Sequence, residues 1–290
     1  MTITGFTIIK NAVKFDYPVV ESIKSVLPLV NEMIVLAGDS EDETEALIRS
    51  IGSPKIKIYH SVWDPALKEG GQILAVETNK AFDLVPASAD WALYIQADEV
   101  IHEQYHAGIL AAAEKYKDDS RVEGLLFGYT HFYGSFDYVG DSRKWYQNEI
   151  RIIRNDKRIR SYRDAQGFKK EGRKLKVKRS GAQVYHYGWV RHPHAQSEKL
   201  ATFYTYWDGP NAPKRSVEEN EMFDYLNNAD SLEKFTGTHP AVMQKRIAEK
   251  NWQLEVTPGR KKMSFKDRLL YRIEKWTGKR LFDYRNYKII

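Results

Sequence analysis

A pair of acids closing an apolar run is the clearest chemical feature of this sequence. Trp91-Ala92-Leu93-Tyr94-Ile95 leads directly into Gln96-Ala97-Asp98-Glu99. An unbroken apolar stretch of this length reads as a strand covered on both faces, as in a parallel sheet flanked by helices. In such sheets ligands bind beyond the carboxyl ends of the strands. A carboxylate delivered there can hold a divalent cation, and the cation can neutralise a diphosphate whose departure would otherwise be slow. A strand that simply ends in an acidic turn has the same sequence appearance. Two further stretches carry chemistry-bearing side chains. Asp39-Ser40-Glu41-Asp42-Glu43-Thr44 is rich in helix N-cap residues, and capping alone accounts for most of it. Tyr185-His186-Tyr187-Gly188-Trp189 sets a histidine among aromatics, where an isolated imidazole is ordinarily hydrogen-bonded within the cluster.

The elements needed to position these residues alternate along the first third of the chain. Ile3 to Lys10, Glu32 to Ala37, Lys55 to His60 and the Trp91 run read as strands; Pro18 to Leu29, Glu41 to Ile51 and Gly71 to Leu84 read as helices. That β-α-β-α-β-α-β order predicts right-handed crossovers and a layered, largely parallel sheet. Val122 to Tyr133, Glu149 to Arg154 and Gln183 to Tyr187 are further strands, with Gly134 to Asn148 as a substrate-facing loop. Gln196 to Asp208 and Val217 to Leu226 have helical character. Near the end, Phe265, Leu269, Ile273 and Trp276 fall on one helical face ringed by basic residues, a pattern that serves either packing on the body or an anionic membrane surface, packing being the commoner use.

Composition narrows the function classes. With 290 residues the chain buries a large core, and with no Cys it has neither disulfides nor a thiolate ligand or nucleophile. No uncharged apolar run is long enough to span a bilayer, and Met1-Thr2-Ile3-Thr4 lacks the basic start of a signal peptide, so a cytoplasmic location is expected, with the inner face of the membrane as the peripheral alternative. Charge is unevenly placed. Arg154 to Arg179 holds 12 Lys/Arg against 3 Asp/Glu, and Arg260 to Ile290 holds 11 against 3, so the rest of a chain of formal charge +6 is net acidic. An acidic body with two basic segments suits an anionic substrate or surface, though such runs are commonly just solvated.

In order and spacing these motifs resemble family 2 glycosyltransferases. Ile34 to Thr44 looks like that family's nucleotide-recognition turn and Gln96-Ala97-Asp98-Glu99 like its acidic metal motif, the likeness running from about Thr4 to Trp189. The resemblance implies a GT-A-like layered α/β fold with a mostly parallel central sheet and a helical C-terminal extension. The catalytic domain would cover 1–195, with a nucleotide-binding half to about 100 and an acceptor half beyond it, and residues 196–290 would form the extension with its basic tail. It further implies transfer of a sugar from a nucleoside diphosphate sugar to a saccharide or other hydroxyl acceptor, with inversion, with Mn²⁺ or Mg²⁺ and with no nucleic acid as partner.

Residue by residue, the resemblance places Asp98 and His186 on the metal, with His192 and His194 competing for the imidazole's role. It places Lys10, Asn11, Asp39, Asn79 and Gln96 around the nucleotide donor. Two departures stand out: Ala37-Gly38 occupy positions where the family often carries Asp, and Gln96 replaces the first acid of the metal motif, so it supplies no second anionic ligand. Asp164, in Ser161 to Phe168, matches the acid proposed as general base, with Glu149 and Asp137 as alternatives. Aromatics at Phe132 to Tyr138 and at Trp145-Tyr146 suggest an acceptor cleft that stacks sugars. A basic nucleic-acid-binding protein and a catalytically inactive GT-A scaffold are the competing readings.

Overall fold

The apolar runs fold as strands buried on both faces. A computed structural model describes residues 1–64, 66–67, 70–204, 217–218, 220–254 and 263–290. Strands β1 (Ile3–Ile9), β2 (Glu32–Ala37), β3 (Ile56–His60) and β4 (Trp91–Tyr94) alternate with helices α1 (Val19–Val26), α2 (Thr44–Arg49) and α3 (Gln72–Asp83). They pair in the order β3-β2-β1-β4, all parallel. Alternation within β4 divides its side chains between two cores. Trp91 and Leu93 face the layer containing α1 and the later helix α4 (His106–Lys115), whose Ala113 carbonyl accepts the Trp91 indole N–H at 3.1 Å. Ala92 and Tyr94 face α3, where the Tyr94 hydroxyl meets Thr78 Oγ1 at 3.2 Å.

Beyond β4 the sheet becomes mixed. Strands β5 (Glu99–Ile101), β6 (Gly124–Tyr133), β7 (Tyr138–Gly140), β8 (Asn148–Arg154), β9 (Ile159–Tyr162), β10 (Gly167–Lys170) and β11 (Arg173–Trp189) continue the order β4-β8-β6-β11-β10-β9. β8 is antiparallel to both β4 and β6, whereas β11 runs parallel to β6. The layered α/β architecture is therefore the expected one, with its continuous parallel portion in the first four strands of the order and a separate parallel pair in β6 and β11. The basic stretch from Arg154 to Arg179 forms this antiparallel edge, and several of its charges are engaged locally. Arg154 Nε donates to the Val122 carbonyl at 2.9 Å, Lys170 bridges Asp156 at 2.8 Å and Glu123 at 3.1 Å, and Arg173 pairs with Glu123 at 2.6 Å.

The described regular structure of the last third is largely helical, with two short strands added to the sheets. Helices α5 (Pro193–Tyr204), α6 (Tyr225–Asn228), α7 (Gln244–Ala248) and α8 (Phe265–Thr277) are joined by β12 (Leu232–Lys234), which pairs with β7, and β13 (Tyr287–Ile289), which pairs in parallel with β11. Expected helix from Gln196 to Asp208 is described only as far as Tyr204; the remainder lies outside the described residues. Of the expected helix from Val217 to Leu226, only the end is helical, because Asp224 caps a helix that starts at Tyr225, its carboxylate accepting the Asn227 N–H at 2.9 Å. Helix α8 forms as expected, with Ser264 as N-cap and Gly278 as C-cap, but of the expected apolar face Ile273 alone is half-buried, and Phe265, Leu269 and Trp276 stay exposed. Its polar side docks instead: Glu274 accepts from Arg143 at 2.8 Å and Gln147 at 2.6 Å, and the Tyr271 hydroxyl donates to Asp141 at 2.6 Å.

Candidate functional site

Consecutive parallel strands end on one edge, where a cleft of about 410 Å³ opens. Lys10 follows β1, Asp39 follows β2 and Gln96 to Asp98 follow β4. Five of the residues singled out from the sequence line this cleft: Lys10, Gln96, Asp98, Asp164 and His186. Asp39 stands beside it through Lys10, whose Nζ is 2.7 Å from Asp39 Oδ1. Burial pushes the Asp39 carboxyl up, but the Lys10 ammonium and the Trp63 backbone N–H outweigh it and hold the group below its ordinary range.

Asn11 and Asn79 do not line the cleft. Asn11, in a left-handed conformation at φ 54°, accepts the Glu41 N–H at 2.9 Å and so ties the end of β1 to the loop after β2. Asn79 holds Ser161 from both sides, accepting its N–H at 2.8 Å and donating to its carbonyl at 3.1 Å. It thereby anchors β9, the strand that leads to Asp164. His192 and His194 are likewise absent from the lining, whereas His186 is present.

A tight turn after β4 separates the two acids of the motif. Glu99 N–H bonds back to the Gln96 carbonyl at 3.0 Å, and β5 then pairs with β11 so that Glu99 lies opposite His186. Glu99 points inward. Its carboxylate takes Arg151 Nε at 2.8 Å and Nη2 at 2.7 Å, the Tyr129 hydroxyl at 2.7 Å and the Gln96 backbone N–H at 3.1 Å, and both Glu99 and Arg151 are fully buried. Asp98 instead faces His186, with Oδ2 at 3.7 Å from Nε2.

Hydrogen bonding fixes which His186 nitrogen carries the proton. His131 Nε2 lies 2.8 Å from the Tyr146 carbonyl, which can only accept, so that nitrogen is protonated. Burial holds His131 well below the ordinary imidazole range, leaving it neutral with a lone pair on Nδ1. The 3.1 Å contact between the two Nδ1 atoms therefore makes His186 Nδ1 the donor. His186 Nε2 is left with its lone pair toward Asp98. Burial likewise keeps His186 below its usual range, against the pull of the Asp98 and Glu99 carboxylates.

Two acceptors thus face each other, and the space between them exists because residue 188 is glycine. A Cβ there would lie 2.6 Å from both Asp98 Oδ2 and His186 Nε2. Carboxylate, unprotonated imidazole and an open gap fit a divalent cation. Among the described residues no third His, Asp, Glu or Cys joins the pair, so a cation held there would draw its remaining ligands from a bound anion and water. Sequence reading missed the cation already beside it. Lys199 on α5 donates to the Gly188 carbonyl at 2.9 Å and sits 3.7 Å from Asp98 Oδ2, with Arg191 buried nearby and donating to the same carbonyl at 3.0 Å. Burial lowers Lys199 to about 7, Arg191 adding to the shift and Asp98 opposing it. Burial pushes Asp98 up, yet His186 in its protonated form, Lys199 and Arg191 hold its carboxyl below the usual value. The only sequence signal for Lys199 is its helical spacing from Gln196, which also lines the cleft.

Asp164 reaches the cleft on a turn held in two left-handed residues, Arg163 at φ 54° and Ala165 at φ 61°. Such strain is kept where surrounding contacts over-determine it. The Ala165 N–H bonds to the Tyr162 carbonyl at 3.2 Å, and Gln96 Nε2 reaches the Ala165 carbonyl at 3.4 Å. The amide at the first position of the acidic motif therefore ties that motif to the Asp164 turn. Burial raises Asp164 above an ordinary carboxyl, against its neighbouring backbone N–H groups and Arg163.

The alternative bases lie elsewhere. Asp137 accepts from Ser135 and pairs with Lys250 at 3.3 Å. Glu149 is buried under the C-terminal strand, where Asn286 Nδ2 donates to it at 2.8 Å, and burial pushes it up to about 7. This placement has a consequence for stability. An ordinary Glu releases its proton near 4.5, whereas the folded chain keeps it until about 7. Across that interval the folded state binds more protons, so stability falls as pH rises, by up to roughly 3 kcal/mol. Glu149→Gln is expected to remove that contribution from the slope between pH 5 and 8 in urea unfolding, leaving the opposite one from the lowered histidines and Lys199, since the amide keeps an acceptor for Asn286. An unchanged slope would assign the pH dependence to another group.

No protein-family model matches the chain, and no curated protein does. Solved structures do, at low identity. S. aureus TarS is 16% identical with a TM-score of 0.39 over 70% of this chain and 39% of its own. A structure of S. aureus TarS 1–349 in complex with UDP is 14% identical with a TM-score of 0.40, covering 71% of this chain and 65% of that one. Glucosyl-3-phosphoglycerate synthase from Mycobacterium tuberculosis, in complex with Mn²⁺, UDP and phosphoglyceric acid, is 19% identical with a TM-score of 0.31, over 46% and 43% respectively. This chain spans less than two thirds of the length of each of them. Likeness this slight locates no ligand in the present cleft.

Proposed function

We propose that this chain is a glycosyltransferase that moves a sugar from a nucleoside diphosphate sugar to a hydroxyl acceptor, with inversion and with Mn²⁺ or Mg²⁺. The observation that carries the reading is the pair Asp98 and His186, facing across Gly188 at the ends of parallel strands, with Asp164 in the same cleft. Asp98 and His186 would hold the cation, which neutralises the leaving diphosphate when bound. Lys199, in the same cleft, adds a donor toward that charge. Lys10 and Asp39 lie where β1 and β2 end, suited to the base or ribose. Asp164 takes the proton of the acceptor hydroxyl as its oxygen attacks the anomeric carbon. Tyr146 and Trp189 offer aromatic faces to a sugar.

Residues 1–195 supply nearly all of this machinery in the proposed division, and the extension adds Gln196, Lys199 and Leu200 to the wall. Part of the basic stretch after Arg154 is engaged in carbonyl capping and ion pairs, which weakens the nucleic-acid reading.

A thermal-shift series of nucleoside diphosphates with and without Mn²⁺ tests the proposal. Selective binding at about 100 times Kd stabilises the native state by about 2.7 kcal/mol, or roughly 5 °C for a chain of this size. Asp98→Asn keeps the side chain's size and is expected to lose the Mn²⁺-dependent part of that shift, read against its own ligand-free melting temperature, which falls because Lys199 and Arg191 lose their anion. A parent chain that responds to no nucleotide and turns over no sugar nucleotide would refute the enzyme. A full Mn²⁺ response in Asp98→Asn would remove Asp98 from the cation site.

A further inference from the structure

Helix α8 half-buries Leu270 and Ile273 but leaves the rest of its apolar stripe outside. Ordinarily the apolar stripe of an amphipathic helix faces the core and the charged side faces water. Here the acidic and hydrogen-bonding side carries the docking contacts, through Glu274 to Arg143 and Gln147 and through Tyr271 to Asp141. The stripe made by Phe265, Leu269 and Trp276 faces outward, exposed by 85%, 51% and 88%. These residues follow helical spacing, and Arg272 completes the same row. Lys266 and Arg268 flank it, all three basic residues being exposed. Phe282 follows the Gly278 cap and is exposed as well.

We propose that this face of α8 docks on the surface of a bilayer containing anionic lipid. The occupant is chosen by charge complementarity. Aromatic and aliphatic tips enter the headgroup boundary, and the basic residues beside them meet lipid phosphates. Both acidic residues of the helix lie away from that plane: Glu274 is held by the body, and Asp267 bonds back to Ser264, its N–H donating to the Ser264 hydroxyl at 3.1 Å. The helix is also coupled to the cleft. Arg143 and Gln147, which hold Glu274, bracket Tyr146, and Tyr146 lines the cleft wall. Attachment through α8 therefore fixes the chain through the loop that carries a wall of the site. The docking does not depend on what reaction the cleft performs.

Co-sedimentation of the full chain with vesicles of equal parts phosphatidylglycerol and phosphatidylcholine decides it, with pure phosphatidylcholine vesicles and raised salt as comparisons. The expected result is binding to the anionic vesicles that weakens with salt. A basic side chain near such a surface contributes about 1 kcal/mol, or about fivefold in affinity, so reversing Lys266, Arg268 and Arg272 to Glu should weaken it at least roughly 100-fold. Phe265→Ser with Trp276→Ser should weaken it by about tenfold or more, since the apolar anchors are lost. Because all five side chains are exposed, both variants should melt near the parent temperature. Absence of vesicle binding by the parent at low salt overturns the proposal, as does binding that survives both variants. A concentration-dependent dimer that the Phe265→Ser, Trp276→Ser chain no longer forms would also overturn it, by giving the face to a second copy.

Discussion

Asp164→Asn is expected to depress sugar transfer by roughly 10²–10⁴-fold, the usual worth of a general base, while leaving nucleotide and Mn²⁺ affinity nearly unchanged. The geometry explains why the two should separate. Asp98, His186 and Lys199 form one cluster around Gly188, held by the pairing of β5 with β11. Asp164 comes from a different element, the turn between β9 and β10, and its raised pKa makes it the more effective proton acceptor. The amide preserves size and leaves the Gln96 link to the Ala165 carbonyl intact. Replacing His186 by Ala should behave differently, weakening cation and nucleotide together. Titration of both ligands followed by single-turnover measurements on the two variants resolves the matter. Normal turnover by Asp164→Asn would remove it as base. Equal loss of nucleotide affinity in both variants would contradict the division of labour.

Arg151→Met should destabilise the fold by about 3–5 kcal/mol, the range for removing one partner of a buried ion pair. Arg151 has no access to solvent, its guanidinium lies 5.3 Å from the Tyr94 and Tyr129 ring centroids, and it supplies both charged hydrogen bonds to Glu99. Without it, Glu99 keeps only the Tyr129 hydroxyl and the Gln96 N–H as donors to a buried anion. The double variant with Glu99→Gln should recover part of the loss, because the uncompensated charge is then gone. Urea unfolding at constant pH measures both. A cost under about 1 kcal/mol for Arg151→Met would show that water or a proton relieves Glu99, and the pair would not anchor the turn that presents Asp98.

Much of the frame was legible in the sequence because it rests on local patterns. Runs rich in apolar and β-branched residues produced β1, β2 and β4, and intervening helical periodicity implied their parallel order and the edge at which Asp98 emerges. Short elements rich in charge were not legible. β9 and β10 lie inside the basic stretch, where single buried apolar residues, Ile159 and Phe168, face the core beside charged neighbours and leave too short an apolar pattern to read.

The site divides along the same line. Sequence order marked Lys10, Gln96, Asp98, Asp164 and His186, all of which meet in the cleft. It could not distinguish the adjacent acids, since only the antiparallel pairing of β5 with β11 turns Glu99 onto Arg151 and leaves Asp98 facing His186. Nor could it show that Asn11 and Asn79 clamp backbone, that Lys199 returns from α5 to Asp98, or which face of α8 docks. A residue's type and spacing fix which local element it joins. Its partner across the fold is set by strand register and by the competition for buried hydrogen bonds, and these exist only once distant segments pack together.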